Sequence, residues 1–248
     1  MPSTKVWDGS QWKDIKNIYY WDGSAWQTAK AAYYWDGSQW VPFWTPQVIW
    51  NVGYNNIIVF ELSPKDLGVV RSKSAPTQFP QGIGGDPSTI WYNDNYAYKL
   101  YELSVIDFSV VRSHGTVEYP TGAGGNNNVI WVCGWNSILA EHTPTDLSQV
   151  RTGTAPTGYS SGAGGDTNVL WYTNDSDDHI YELSTTDFST IRHASSGDWR
   201  PSGIGGDYNT IWFCGRGNTI VAEHSVEDLS MIRSRTSPDT TPTGIGGK

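Results

Sequence analysis

The chain lacks most of the residues by which a sequence announces its chemistry. Only two of its 248 residues are cysteine, Cys133 and Cys214, too few for a disulfide framework. They stand at equivalent places of non-adjacent repeat units, beyond the roughly 7 Å between Cα atoms that a disulfide spans. Both are expected to be free, small apolar residues. No apolar run is long enough to cross a bilayer, so no membrane insertion is expected. The opening "MPSTKVWDGSQW" has no apolar segment of the kind a signal peptide needs, and export by the general secretory route is not expected. Lys and Arg number 16 against 25 Asp and Glu, a net charge of −9. Residues 1–45 hold four Lys and four Asp, so the whole excess lies downstream. Nucleic acid, which is held by Lys and Arg clusters, is not an expected partner. G-x-S-x-G, the P-loop and H-E-x-x-H are absent. No catalytic residue and no cofactor are assigned, and the chain is expected not to be an enzyme.

What is abundant is glycine (27), tryptophan (14) and tyrosine (14), and they recur at a fixed period. Glycine pairs fall at Gly84–Gly85, Gly124–Gly125, Gly164–Gly165, Gly205–Gly206 and Gly246–Gly247, spaced by 40, 40, 41 and 41 residues. Trp50, Trp91, Trp131, Trp171 and Trp212 keep step, as do five Glu (61, 102, 141, 182, 223), five Asp (66, 107, 146, 187, 228) and five Arg (71, 112, 151, 192, 233). Residues 82–121 parse into four short strands, "GIGG", "STIWYN", "YKLYELS" and "FSVVRS", separated by turn signals. Four antiparallel strands per ~40 residues is the blade of a β-propeller. The first unit begins at Val48 without a glycine strand, and "GIGGK" at the end has no blade behind it. These halves complete each other if the ring closes, with Gly244–Gly247 against the strand around Val48–Trp50. The expected fold is all-β: a closed five-bladed propeller over 46–248, with no exposed sheet edge. A longer period overlies the first, because units two and four share "YELS" while units three and five share "AEH".

Residues 1–45 carry a shorter repeat, with Trp7, Trp21 and Trp35 spaced 14 apart. Asp8–Gly9, Asp22–Gly23 and Asp36–Gly37 between aromatic residues predict three type I′ hairpins. Trp12, Trp26 and Trp40 would face the first Trp of each hairpin as cross-strand pairs. Such a module is too small to bury its aromatics alone. It is expected to anchor the chain on another surface or to trimerise it; packing on the propeller is the alternative.

The repeated Glu, Asp and Arg recur in every unit, as scaffold residues do. His142 and His224 stand where Leu62, Leu103 and Leu183 stand elsewhere, a packing position, and no metal site is expected from them with Cys133. "NDSDDH" (174–179) gathers Asp175, Asp177 and Asp178 without the EF-hand spacing. A solvated loop is the favoured reading, with calcium open. The variable loops, "VGYNN", "NDNYAY", "CGWNS", "TNDSDDH" and "CGRGN", emerge with the blade links on one face, where binding usually resides. The candidate ligand-binding residues there are Phe79, Tyr119, Tyr159 and Trp199 in the links, with Trp135, Asp175 and Asp177 in the loops. Aromatic faces suit the stacking of a sugar ring; sealing the gaps between blades is the alternative.

The tandem W-D-G-S-x-W at 7–12, 21–26 and 35–40 resembles repeats of bacteriophage tail-associated and fibre-like proteins. The "GIGGD…TIW…YELS…DFS…R" units resemble NHL-like propeller repeats, which form four-stranded blades and often serve as binding platforms. Those families commonly close with six blades, where this chain counts five. The resemblances imply a virion-attached protein, assembled in the host cytoplasm. Residues 1–45 would contact other virion proteins or further copies of the chain, as a homo-oligomer. The propeller would display a face to a host-surface glycan or receptor. A structural or decoration protein bridging virion subunits is the alternative, and a propeller glycoside hydrolase a second.

Overall fold

The computed structural model describes residues 5–7, 10–14, 18–21, 23–28, 32–35, 40–44, 47–156 and 158–248. Spatial proximity divides the chain into Met1–Gln47 and Val48–Lys248. The first unit holds three separate antiparallel hairpins: Lys5–Trp7 with Trp12–Asp14, Tyr19–Trp21 with Trp26–Thr28, and Ala32–Trp35 with Trp40–Trp44. Each closes on a tryptophan pair, Trp7 opposite Trp12, Trp21 opposite Trp26 and Trp35 opposite Trp40. Gly23 has a φ of 101°; the other Asp-Gly residues lie outside the described ones.

The second unit is a ring of five four-stranded antiparallel sheets. Blades 2 to 5 follow the chain from the centre outward, blade 2 being Pro80–Asp86, Thr89–Asp94, Lys99–Leu103 and Val110–Gly115. Blade 1 takes Ile49–Gly53, Ile58–Leu62 and Val69–Ser74 from the start of the unit and its innermost strand, Pro242–Gly247, from the end. Gly244 pairs with Val52, Gly246 with Trp50 and Gly247 with Ile49, so the ring closes as the split repeat predicts.

Glycine on the innermost strands is a steric requirement. A Cβ built on Gly84 would lie 2.8 Å from the Cα of Gly124 in the next blade, and one on Gly124 would lie 3.0 Å from Gly164. The contact passes on through Gly164, Gly205 and Gly246 and returns to Gly84. Five inner strands meet backbone to backbone, and only glycine leaves them room.

Between blades the core is organised around the five tryptophans, each 1–2% exposed. The Trp50 edge packs on Phe108 of the next blade at 5.8 Å, and Trp131 meets Phe188 at 6.0 Å. Leu67, Leu147 and Leu229 hold the same turn position in the other blades, and all five residues have φ between 58 and 64°. A left-handed Leu or Phe is costly; here it delivers a large side chain beneath the neighbouring tryptophan. One buried indole removes roughly 150–250 Å² from water, about 4–6 kcal/mol at ~25 cal/mol per Å².

The repeated charges tie blade to blade. Arg71 Nε donates to Glu61 at 2.5 Å, while its Nη groups donate to the carbonyls of Ile106 and Val105 in the next blade. Arg112, Arg151 and Arg192 repeat the clamp. Arg233 carries it across the closure to the carbonyls of Lys65 and Pro64. Each repeated Asp accepts from the Ser or Gly backbone N–H two residues on, at 2.9 to 3.2 Å. The scaffold reading of these three sets holds.

His142 and His224 are buried at 0% and 1% exposure. Their Nδ1 atoms meet the carbonyls of Leu147 and Leu229 at 2.9 Å, which fixes the proton there. Burial lowers both pKa values below the ordinary one. Ile130 is the partner of His142 and Leu139 that of Cys133. No cluster of metal-binding side chains occurs among the described residues. Cys133 and Cys214 are free and buried, and burial pushes both thiols up to about 12.

Candidate binding site at the mouth of the ring

Every innermost strand is irregular at the same place. Pro120 pairs with Gly134 but Gly122 with Cys133, so Thr121 is an extra, bulged residue. The same shift leaves out Ser161, Ser202 and Thr243, and in blade 2 it falls between Pro80 and Ile83, at Gln81. A β-bulge re-aims a side chain away from the sheet face. All five bulged residues are polar, and all five line one cavity of about 240 Å³, which the fivefold arrangement places on the ring axis.

The hydroxyls have a defined polarity. Thr121 donates to the carbonyl of Ser160 at 2.9 Å, Ser202 to that of Pro242 at 2.7 Å and Thr243 to that of Pro80 at 3.3 Å, each in the next blade. A hydroxyl has one proton and two lone pairs. With the protons committed to backbone, the oxygens remain as acceptors.

A second tier comes from the loops between the second and third strands. Asn95, Trp135, Asp175 and Arg216 occupy equivalent positions and all line the cavity; Tyr54, their counterpart in blade 1, lines an adjoining one of about 340 Å³. Their backbone N–H groups donate to the carbonyls of Phe79, Tyr119, Tyr159, Arg200 and Thr241 in the blade links, at 2.9 to 3.1 Å. Buried carboxylates stiffen this seam. Asp198 accepts from the N–H groups of Arg200, Gly217 and Asn218 at 2.7, 3.0 and 2.8 Å. Asp94 and Asp239 act alike in blades 2 and 1.

The tier is charged on one side only. Arg216 Nη2 lies 3.2 Å from Asp175 Oδ2, and Arg200 Nε lies 3.6 Å from Asp175 Oδ1. One carboxylate thus bridges two guanidiniums. Burial pulls the pKa of Arg216 down, Asp175 opposes that shift and Arg200 adds to it; an arginine stays protonated regardless.

The expected site residues separate into three groups. Trp135 and Asp175 line the cavity on the axis, and Phe79 lines the adjoining one. Tyr119, Tyr159 and Trp199 stand on the rim, with Tyr159 and Trp199 each 59% exposed and Trp135 53%. The rings meet in pairs, Trp135 with Tyr159 at 5.8 Å, Phe79 with Tyr96 at 5.2 Å and Tyr98 with Tyr119 at 4.9 Å. Phe79 is half-buried among Tyr54 and Tyr96, so packing and display share this rim. Trp199 is one position out of register with the other link aromatics: Arg200 takes the place of Phe79, because its carbonyl receives the equivalent bond from Arg216. Asp177 is not among the residues that line the cavity; it accepts from the Tyr181 hydroxyl and the His179 N–H on the third strand of blade 4. With Asp175 engaged by arginines and Asp177 by Tyr181, the acidic loop presents no converging carboxylates for calcium. The bulged ring, Arg200 and Arg216 were missed from sequence. Their signal is a polar residue (Gln, Thr, Ser, Ser, Thr) immediately before G-[IA]-G-G in every unit.

No known protein family and no curated protein matches the chain. Solved structures do match. The nidogen/laminin complex aligns with a TM-score of 0.56 at 10% identity, over 81% of this chain and 98% of that one. Glutaminyl cyclase of Myxococcus xanthus aligns with a TM-score of 0.55 at 11% identity, over 64% and 71%. A streptogramin B lyase aligns at 17% identity over 94% and 84%, with a TM-score of 0.48. The likenesses to the nidogen/laminin complex and the glutaminyl cyclase support the fold alone. The expectation that the chain is not an enzyme is corrected: a glutaminyl cyclase shares this fold over 64% of the chain, so the missing sequence motifs exclude nothing.

Proposed function

We propose that the propeller is a ligand-binding module whose mouth receives a glycan. One observation carries the reading: five bulged polar side chains converge on a cavity at the axis, inside a rim of exposed aromatic rings. Sugar hydroxyls are donors that suit the lone pairs of Thr121, Ser202 and Thr243. Sugar faces are apolar and suit Trp135, Tyr159 and Trp199. With the adjoining depression the mouth reaches the size of small-molecule sites, roughly 300–1,000 Å³. The wider assignment, a virion-attached protein that presents this face to a host surface and is mounted or trimerised through residues 1–45, is supported by the W-D-G-S-x-W resemblance. A decoration protein would share that mounting without the ligand.

A glycan array probed with the full chain tests the binding role. The wild type is expected to give discrete hits, and Trp135→Ala with Trp199→Ala to abolish them with an unchanged melting temperature. No hits at all would refute it; lost stability with binding per folded molecule unchanged would mark Trp135 and Trp199 as packing residues. Catalysis on the bound ligand is a second reading, favoured by the cyclase that shares this fold; mass analysis of each hit after incubation with the chain detects any product.

A further inference from the structure

Unsaturated guanidinium donors at the mouth narrow the ligand class. The protein is acidic overall, yet Arg200 and Arg216 come together on one side of the cavity, and among the described residues Asp175 is the one carboxylate within ion-pair distance of both. The donors are not saturated. Among the described residues, Arg216 bonds Asp175 through Nη2 alone, and its Nε is buried without an acceptor. Arg200 makes only the long Nε contact to Asp175 and leans its guanidinium over Trp199 at 5.7 Å. The clamp arginines of the blades, by contrast, spend Nε and both Nη groups on acceptors, as Arg71 and Arg233 do.

We propose, building on the glycan-binding reading, that the Arg200–Arg216 pair takes the carboxylate of an acidic sugar, whose hydroxyls are accepted by the bulged Thr121, Ser202 and Thr243. The planar fork of a guanidinium matches a carboxylate in two parallel hydrogen bonds. The free Nη donors of Arg200 and Nη1 of Arg216 supply that fork. Asp175 is a positioning residue: it spans both arginines and holds their heads together.

The test is an array of carboxylated, sulfated and neutral glycans, followed by titration calorimetry of the full chain with each hit and with its methyl ester where it bears a carboxylate. Carboxylated hits are expected, binding at least about tenfold more tightly than their esters, since a hydrogen bond to a charged group is lost on esterification. Arg200→Gln, at a side chain 44% exposed, is expected to remove most of that advantage and leave the affinity for the ester unchanged. Arg216→Lys should weaken the acid in the same sense, and Arg235→Gln, remote on an outer strand, should do nothing. Hits confined to neutral glycans, an ester that binds as well as its acid, or an advantage that survives Arg200→Gln would overturn the proposal and leave glycan binding standing. Sulfated hits alone would overturn the carboxylate assignment. An array without any hit would refute the glycan reading itself, and this one with it.

Discussion

Replacing Gly84 by alanine adds one methyl group where neighbouring inner strands meet backbone to backbone. That carbon would sit 2.8 Å from Gly124 Cα and 3.1 Å from Ala123 O, both backbone atoms that no rotamer change moves aside. The neighbouring inner strand must shift by several tenths of an ångström, and the same contact is handed round through Gly164, Gly205 and Gly246. Overpacking of this kind costs about 1–3 kcal/mol, while the stiffer unfolded chain returns about 0.4–1 kcal/mol. The net loss of about 1–2 kcal/mol corresponds to a fall in melting temperature of about 2–8 °C for a domain of this size. Gly115→Ala is the control. It lies on an exposed outer strand with nothing within 4 Å of the new methyl, so only the favourable term remains and its Tm should rise slightly. The assay is paired thermal denaturation by circular dichroism. If Gly84→Ala is as stable as wild type, or shifts in the same direction as Gly115→Ala, the collar of inner strands does not set the packing of the ring.

The buried histidines predict a pH dependence. Because the folded pKa values of His142 and His224 lie below the ordinary value near ~6.5, the unfolded chain binds more protons just below that pH, and stability falls as pH drops from about 7 toward 5. His142→Leu with His224→Leu, the residue that stands there in the other blades, should flatten that slope in chemical denaturation. An unaltered slope would show that other groups cause it. The turn aspartates act in a separate window: hydrogen bonds from neighbouring Ser lower their pKa, to about 2 for Asp107, so their contribution is lost only as pH falls from 3.8 toward that value. For residues 1–45, light scattering is expected to show the full chain as a trimer and residues 46–248 as a monomer. Two monomers that also fail to attach to particles would contradict the anchoring role.

The architecture was legible because a period repeated five times averages out local ambiguity. The half-units at Val48 and Gly244–Gly247 made closure visible before any coordinates. The Arg clamps were legible only as a scaffold, since the carbonyls they reach, such as Val105 and Ile106, carry no sequence signature. The site was half legible. Aromatic side chains on loops stand out, and Trp135, Tyr159 and Phe79 do reach the mouth. Thr121 and Ser202 did not stand out, because a lone Ser or Thr beside glycine reads as turn filler and a bulge leaves no mark in composition. Arg200 was hidden by Trp199, which precedes it and caught the pattern of link aromatics. Arg216 and Asp175 are equivalent positions of adjacent blades, and only the curvature of the ring turns them toward each other.

The central claim is that the ring of bulged polar residues is where a ligand binds. Backbone amide spectra of the isotopically labelled full chain, recorded while an array hit is titrated in, test it most directly. The account predicts that Gln81, Thr121, Ser161, Ser202 and Thr243 shift together with Arg200 and Arg216, while the S-x-x-D turns at Asp66, Asp107, Asp146, Asp187 and Asp228 stay still. Shifts confined to those turns, or to residues 1–45, with the mouth unmoved would contradict it.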